Sequence, residues 1–239
     1  LHARLRAAAE HGGRPAVIGC GRRFSEHATI QHRPAGCAQG RGEDAARDGR
    51  GLPTHFNIRA AYPKEVMLNW YNAIQKMGER GRLGIPITIA SDPRHGVPST
   101  FGASIYTPFF SKWPSALGFG AIGDSTLVAK HAEIVRKEYT AIGIKVALGP
   151  MADVATEPRW TRINGTFGED ASLNAKLTSA YIKGLQGDSI DANSVLAMVK
   201  HFPGSGPLDD GKDSHFPPGT QSYKGGQFNY HLKPFEAAF

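Results

Sequence analysis

The stretch Val195-Leu-Ala-Met-Val-Lys-His-Phe-Pro-Gly204 decides how the rest of the chain is read. Five apolar residues run without a break, a pattern that fits a strand covered on both faces, as in a parallel sheet. The run stops on Lys200 and His201, and Pro203 and Gly204 cannot continue a central strand. Polar groups at the C-terminal end of a buried strand are where α/β barrels and open α/β sheets keep their sites. Spacing alone equally allows a capped strand end with a solvated lysine.

Working outward, residues 63–78 read as a helix, with Pro63 in its first turn and Val66, Trp70, Ala73, Ile74 and Met77 on one face. Gly78 and Gly81 supply stop signals. Residues 85–92, Ile-Pro-Ile-Thr-Ile-Ala-Ser-Asp, form a short β-branched strand ending on a carboxylate. Residues 93–124 are Gly/Pro/aromatic-rich loop. Asp124 then opens a helix running to about residue 142, with Val128, Ala132, Val135 and Tyr139 in one stripe, and 144–149 is the next strand. A polar loop covers 153–170. Ser172 is read as the cap of a helix carrying Leu173, Leu177, Tyr181 and Leu185, stopped by Gly187. Beyond the opening stretch, a long Gly/Pro/Asp loop is followed at 232–239 by the first turns of another helix.

Helices and strands alternate, which predicts an α/β fold of parallel strands with covering helices. Long loops follow strands and short turns follow helices, as in a TIM-type (β/α)8 barrel with its site on the strands' C-terminal side. Three strands are clear where closure needs about eight, so the expectation is a partial barrel with its C-terminal strands missing.

Residues 1–52 have a different texture. They hold nine Arg, no Lys and five acids, a net of +4, which leaves +3 for the other 187 residues. Two readings compete for this Arg/Gly-rich segment: a disordered basic extension, or translation of a GC-rich stretch in the wrong frame. The second is preferred, because usage switches abruptly from Arg-only to mixed Lys/Arg after Leu52; translating the encoding DNA in all frames tests it. The domain division is thus 1–52 atypical and 53–239 barrel. The overall charge of +7 does not imply nucleic acid, since the excess sits in a segment with no periodicity. Cys20 and Cys37 match no metal or redox spacing, and neither metal nor organic cofactor is expected. No apolar run approaches the roughly 20 residues that span a bilayer, so no membrane partner is expected. The chain opens on Leu1, which leaves room for an export signal upstream, and a periplasmic or extracellular location is slightly favoured.

Asp92, Arg159, Arg162, Lys200 and His201 all fall at or after strand ends. Carboxylate, guanidinium, ammonium and imidazole together suit a neutral polyhydroxylated ligand, whose hydroxyls both donate and accept. A phosphorylated sugar would suit them equally.

Here a resemblance becomes specific. Asp153-Val-Ala-Thr-Glu-Pro-Arg-Trp-Thr-Arg-Ile-Asn-Gly-Thr-Phe-Gly-Glu-Asp170, followed by Lys200-His-Phe-Pro-Gly204 and preceded by Ile87-Thr-Ile-Ala-Ser-Asp-Pro-Arg-His-Gly96, resembles the N-terminal barrel domain of glycoside hydrolase family 3. The resemblance covers about residues 56–239. It implies a retaining, exo-acting β-glucosidase that takes a β-linked oligosaccharide or glycoside. β-N-Acetylglucosaminidase and β-xylosidase are alternatives within the family, and a non-catalytic sugar-binding protein is one outside it. An aldolase using Lys200 as a Schiff-base amine is a further, disfavoured alternative.

Residue by residue, the resemblance implies that Asp92 accepts hydrogen bonds from the non-reducing-end sugar. Arg162 is the sugar-binding arginine, and Lys200 and His201 donate to neighbouring hydroxyls. Arg159 is read as a structural partner, Glu169 and Asp170 as loop and helix-start anchors. Many members carry an acid where this chain has Gly165. Asp213-Ser-His215 is similar to the acid/base pair of the family's β-N-acetylglucosaminidase branch, but its spacing from Gly206 is two residues too long. That departure favours a loop Asp and His outside the chemistry, and Asp213 and His215 stay as secondary acid/base candidates. No Asp here matches the family's nucleophile motif, so the nucleophile, the acid/base, the remaining strands and a C-terminal domain are expected from the full-length protein.

Overall fold

Four short strands lie in parallel, in the order in which the chain makes them: β1 (His55–Asn57), β2 (Thr88–Ser91), β3 (Val146–Ala147) and β4 (Leu196–Ala197). The computed structural model describes residues 54–58, 62–96 and 105–239. Residues 1–52, with both cysteines and the frame-shift reading, lie outside the described residues. Helix α1 (Lys64–Glu79) joins β1 to β2, α2 (Ala116–Ile122) and α3 (Ser125–Ala141) join β2 to β3, and α4 (Ala171–Gln186) joins β3 to β4. Helix α5 (Phe228–Glu236) follows. This alternation is the expected α/β arrangement, with one strand more than the three read from sequence. β1 is only three residues long and is recognised by its pairing of Phe56 with Ile89.

Period-2 alternation splits the sheet into two unlike faces. Ile89, Ser91 and Ala147 point toward the helices and are buried. Ala90, Val146 and Leu196 are in register on the opposite face, and there Leu196 and Met198 are 43% and 51% exposed. The expectation of a strand covered on both faces is therefore corrected at β4. Val195 is buried, with its N–H donated to the Leu185 carbonyl of α4, but no described element covers the other side.

The helix stripes follow the predicted period where the core is tight. Val128, Ala132, Val135 and Tyr139 of α3 are buried, as are Leu177, Tyr181 and Leu185 of α4. The two helices meet at Gly184, where an added Cβ would stand 2.4 Å from the Ala129 carbonyl oxygen. Two corrections concern helix detail. In α1 the buried positions are Met67, Ile74 and Gly78, the last packed under Ile87, while Val66 is 50% exposed and Ala73 is exposed too. In α4 the cap is Asp170 and not Ser172: Asp170 Oδ1 accepts from the Ser172 and Leu173 N–H groups, both at 2.8 Å. The 93–124 loop also contains α2, capped by Ser115, a helix too short for periodicity to reveal.

Candidate active site

Each predicted sugar-binding residue lies just beyond a strand end, where the chain leaves the sheet and its side chains escape the core. Asp92 follows β2 directly, and its Oδ1 accepts from Lys200 Nζ at 2.7 Å. Lys200 is carried three residues beyond β4 by a parallel bridge to Met151. The two side chains are 108 residues apart in sequence and only 14% and 16% exposed, so parallel strand order alone brings them together. Tyr139 of α3 donates its hydroxyl to the Asp92 carbonyl at 3.0 Å and holds that backbone from beneath.

His201 joins this pair to a second cluster. Its Nδ1 lies 2.9 Å from Asp153 Oδ2 and its Nε2 lies 2.9 Å from Arg162 Nη2. A guanidinium can only donate, so Nε2 accepts and Nδ1 carries the proton toward Asp153. Asp153 is fully buried, and its Oδ1 accepts from the His201 and Ser205 backbone N–H groups at 3.2 and 2.6 Å. Sequence reasoning gave Asp153 no role, although it opens the quoted motif. The available signal was a lone carboxylate just past a buried strand, which needs partners.

Arg162 is 3% exposed and reaches Asp213 Oδ2 through Nη1 at 3.6 Å. Asp213 Oδ2 also accepts from Trp160 Nε1 at 2.7 Å, and Oδ1 meets the His215 N–H at 3.0 Å and ring Nδ1 at 2.5 Å. Burial alone would raise the Asp213 carboxyl, but Trp160, the His215 backbone and ring, and Arg162 together hold it at about 2. The structure thus brings Asp213 against the arginine of the predicted site and pairs it with His215, whose side chain is 48% exposed.

Arg159, Trp113, His131 and His231 stand apart from this cluster. Arg159 is chelated by Glu157, Nε to Oε1 and Nη2 to Oε2, each at 2.8 Å, on the surface. Trp160 is buried, and Trp113 stacks on Phe119 in the core. His131 and His231 are buried on α3 and α5, and burial pushes His131 down to about 3. His131 lines a mainly apolar cavity of about 80 Å³ together with His95, Met151 and Tyr181. None of Asp92, Arg162, Lys200 or His201 lines it. The charged ledge, not that cavity, has the donors and acceptors that chemistry on a polar ligand requires. Among the described residues no group of three or more His, Cys, Asp or Glu could hold a metal ion.

A sequence model described as the glycosyl hydrolase family 3 N-terminal domain matches residues 58–239. The chain belongs to that family. It is 44% identical over 187 residues to a probable β-glucosidase C of Aspergillus flavus, covering 77% of this chain and 30% of that protein. It is 47% identical over 171 residues to a periplasmic β-glucosidase/β-xylosidase of Dickeya chrysanthemi, covering 70% and 26%. Among solved structures, a β-glucosidase from Listeria innocua in complex with isofagomine superposes with a TM-score of 0.55 at 30% identity, covering 70% of this chain and 21% of that one. This family 3 chain thus spans less than a third of the length of the curated relatives it matches.

Proposed function

We propose that this chain supplies the sugar-holding floor of a retaining, exo-acting β-glucosidase. The observation that carries the reading is the Asp92–Lys200 pair at 2.7 Å, with Arg162 and His201 continuing the same ledge. Charge-assisted hydrogen bonds to sugar hydroxyls contribute roughly 1.5–3 kcal/mol each, so four such residues hold one monosaccharide tightly. Asp92 accepts hydroxyl protons, Lys200 donates to the neighbouring hydroxyl, and Arg162 and His201 extend the contact once a hydroxyl takes the place of their mutual bond. On this reading none of the site carboxylates is the nucleophile. Asp92 is neutralised by Lys200, Asp153 is wholly buried, and both Asp213 oxygens are engaged. Retaining hydrolysis needs a nucleophilic carboxylate and an acid/base typically about 5–5.5 Å apart, and these are assigned to barrel strands and a C-terminal domain beyond this chain.

Hydrolysis of aryl β-glucosides by the protein at its full natural length tests the reading, with aryl β-xylosides and N-acetyl-β-glucosaminides in parallel. Preference for glucoside is expected. Turnover by the 239-residue chain alone would sink the placement of the nucleophile. The periplasmic designation of the Dickeya relative supports an exported protein.

The Asp213–His215 contact favours an alternative for the proton transfer alone, in which His215 and not a C-terminal domain is the acid/base. A histidine oriented by a buried carboxylate is a competent general acid/base. His215→Ala is then expected to slow substrates with poor leaving groups far more than aryl glycosides with good ones. Equal losses on both would remove His215 from proton transfer.

A further inference from the structure

We infer that Asp213 is a positioning residue for Arg162, a carboxylate delivered by the 204–223 loop to hold the guanidinium at the sugar ledge. The inference rests on the sugar-binding reading above and deepens it.

Arg162 carries a permanent charge at 3% exposure, and a buried charge needs a counter-charge. His201 cannot supply it, because its proton lies toward Asp153 and it offers Arg162 only a neutral lone pair. Asp213 is a carboxylate paired with Arg162, Oδ2 to Nη1 at 3.6 Å. At 3.6 Å the contact is one of charge and not a close hydrogen bond, so the location of Asp213 matters more than its angle. That location is fixed by the indole N–H of Trp160, itself 1% exposed. Trp160 and Arg162 sit two residues apart, so both partners of the Asp213 Oδ2 belong to the loop after β3, and Asp213 clasps them from the other side.

The loop that brings Asp213 is built for close approach. An added Cβ at Gly206 would stand 1.5 Å from the Val154 carbonyl oxygen, and one at Gly211 2.6 Å from the Arg159 carbonyl carbon. Gly211 also has φ +69, a left-handed backbone that favours glycine. The loop is thus pressed against the Arg162-bearing segment at two points before Asp213. A loop carrying Asp213 only to orient His215 would not need to lie there. The carboxylate divides its work: Oδ2 faces Trp160 and Arg162, and Oδ1 faces His215.

The test is equilibrium binding of glucose, by NMR titration of the protein at its full natural length, because binding needs no proton transfer. Asp213→Asn is expected to weaken glucose at least tenfold, Trp160→Phe several-fold, and the exposed loop variant Asp210→Asn not at all. In an Arg162→Ala background Asp213→Asn should add less than a twofold loss. Circular dichroism identifies variants that fail to fold, and Trp160→Phe, which deletes the indole donor and keeps a smaller aromatic side chain, serves if Asp213→Asn is among them. Glucose affinity unchanged in folded Asp213→Asn, with kcat alone reduced, would overturn the inference. So would a full loss that persists without Arg162. Wild-type protein that binds no glucose would remove the sugar-binding reading itself, an outcome distinct from both.

Discussion

Lys200 and Asp92 neutralise each other across 2.7 Å, so each holds the other in place at the proposed sugar subsite. Removing one leaves a partly buried charge without its partner as well as a missing contact. Lys200→Ala is therefore expected to lower kcat/KM for an aryl β-glucoside about 10- to 100-fold, the range that one charge-assisted hydrogen bond of roughly 1.5–3 kcal/mol implies. Asp213 makes a different prediction, about stability and pH. Its carboxyl sits at about 2 against an ordinary 3.8, so its contribution is fully present above about pH 4 and lost as pH falls through about 2. Thermal melts of wild type should hold level with respect to this group down to pH 4 and then drop. Asp213→Asn should melt lower at pH 7 and show a shallower drop between pH 4 and 2. A parallel acid profile in the variant would remove Asp213 from the acid transition.

At the scale of single elements, caps and close crossings decide more than stripe composition. Asp170 satisfies two N–H groups at the start of α4, and Ser172 satisfies none. Asp170→Ala should cost about 1 kcal/mol in urea unfolding, and Ser172→Ala less than about 0.5 kcal/mol. The α4 stripe of Leu177, Tyr181 and Leu185 was legible because a helix buried on one side repeats every 3.6 residues. The α1 stripe was misread at Val66 and Ala73, which are exposed, and missed Met67, which is buried, while Ile74 is buried as expected. Glycine has no hydropathy to mark a buried face, and Gly78 is the residue that lies under Ile87.

On the scale of the whole molecule, parallel strand order gathers three loops onto one side, and the 204–223 loop closes over them. Gly206 is the point of closest approach, pressed on the Val154 carbonyl. Gly206→Ala has no room without a backbone shift, so about 1–3 kcal/mol of destabilisation is expected in denaturant unfolding. Glucose affinity should fall with it, because the shift carries Asp213 away from Arg162. Stability lost with affinity intact would separate the loop from the site. The sheet's second face, with Leu196 and Met198 exposed, is the part of the architecture that no described element completes.

Local pattern by itself determined the alternation of helices and strands, the strand-end location of Asp92, Lys200 and His201, and the family to which their motifs belong. These are properties of short range: periodicity, turn residues and spacing within a single loop. Tertiary structure alone decided that Asp153 anchors His201, that Asp213 reaches Arg162 across 51 residues, and that one face of β4 is open. A charge pair between distant loops leaves no trace in either loop. It exists because strands pair side by side and close the space between segments that the chain itself keeps far apart.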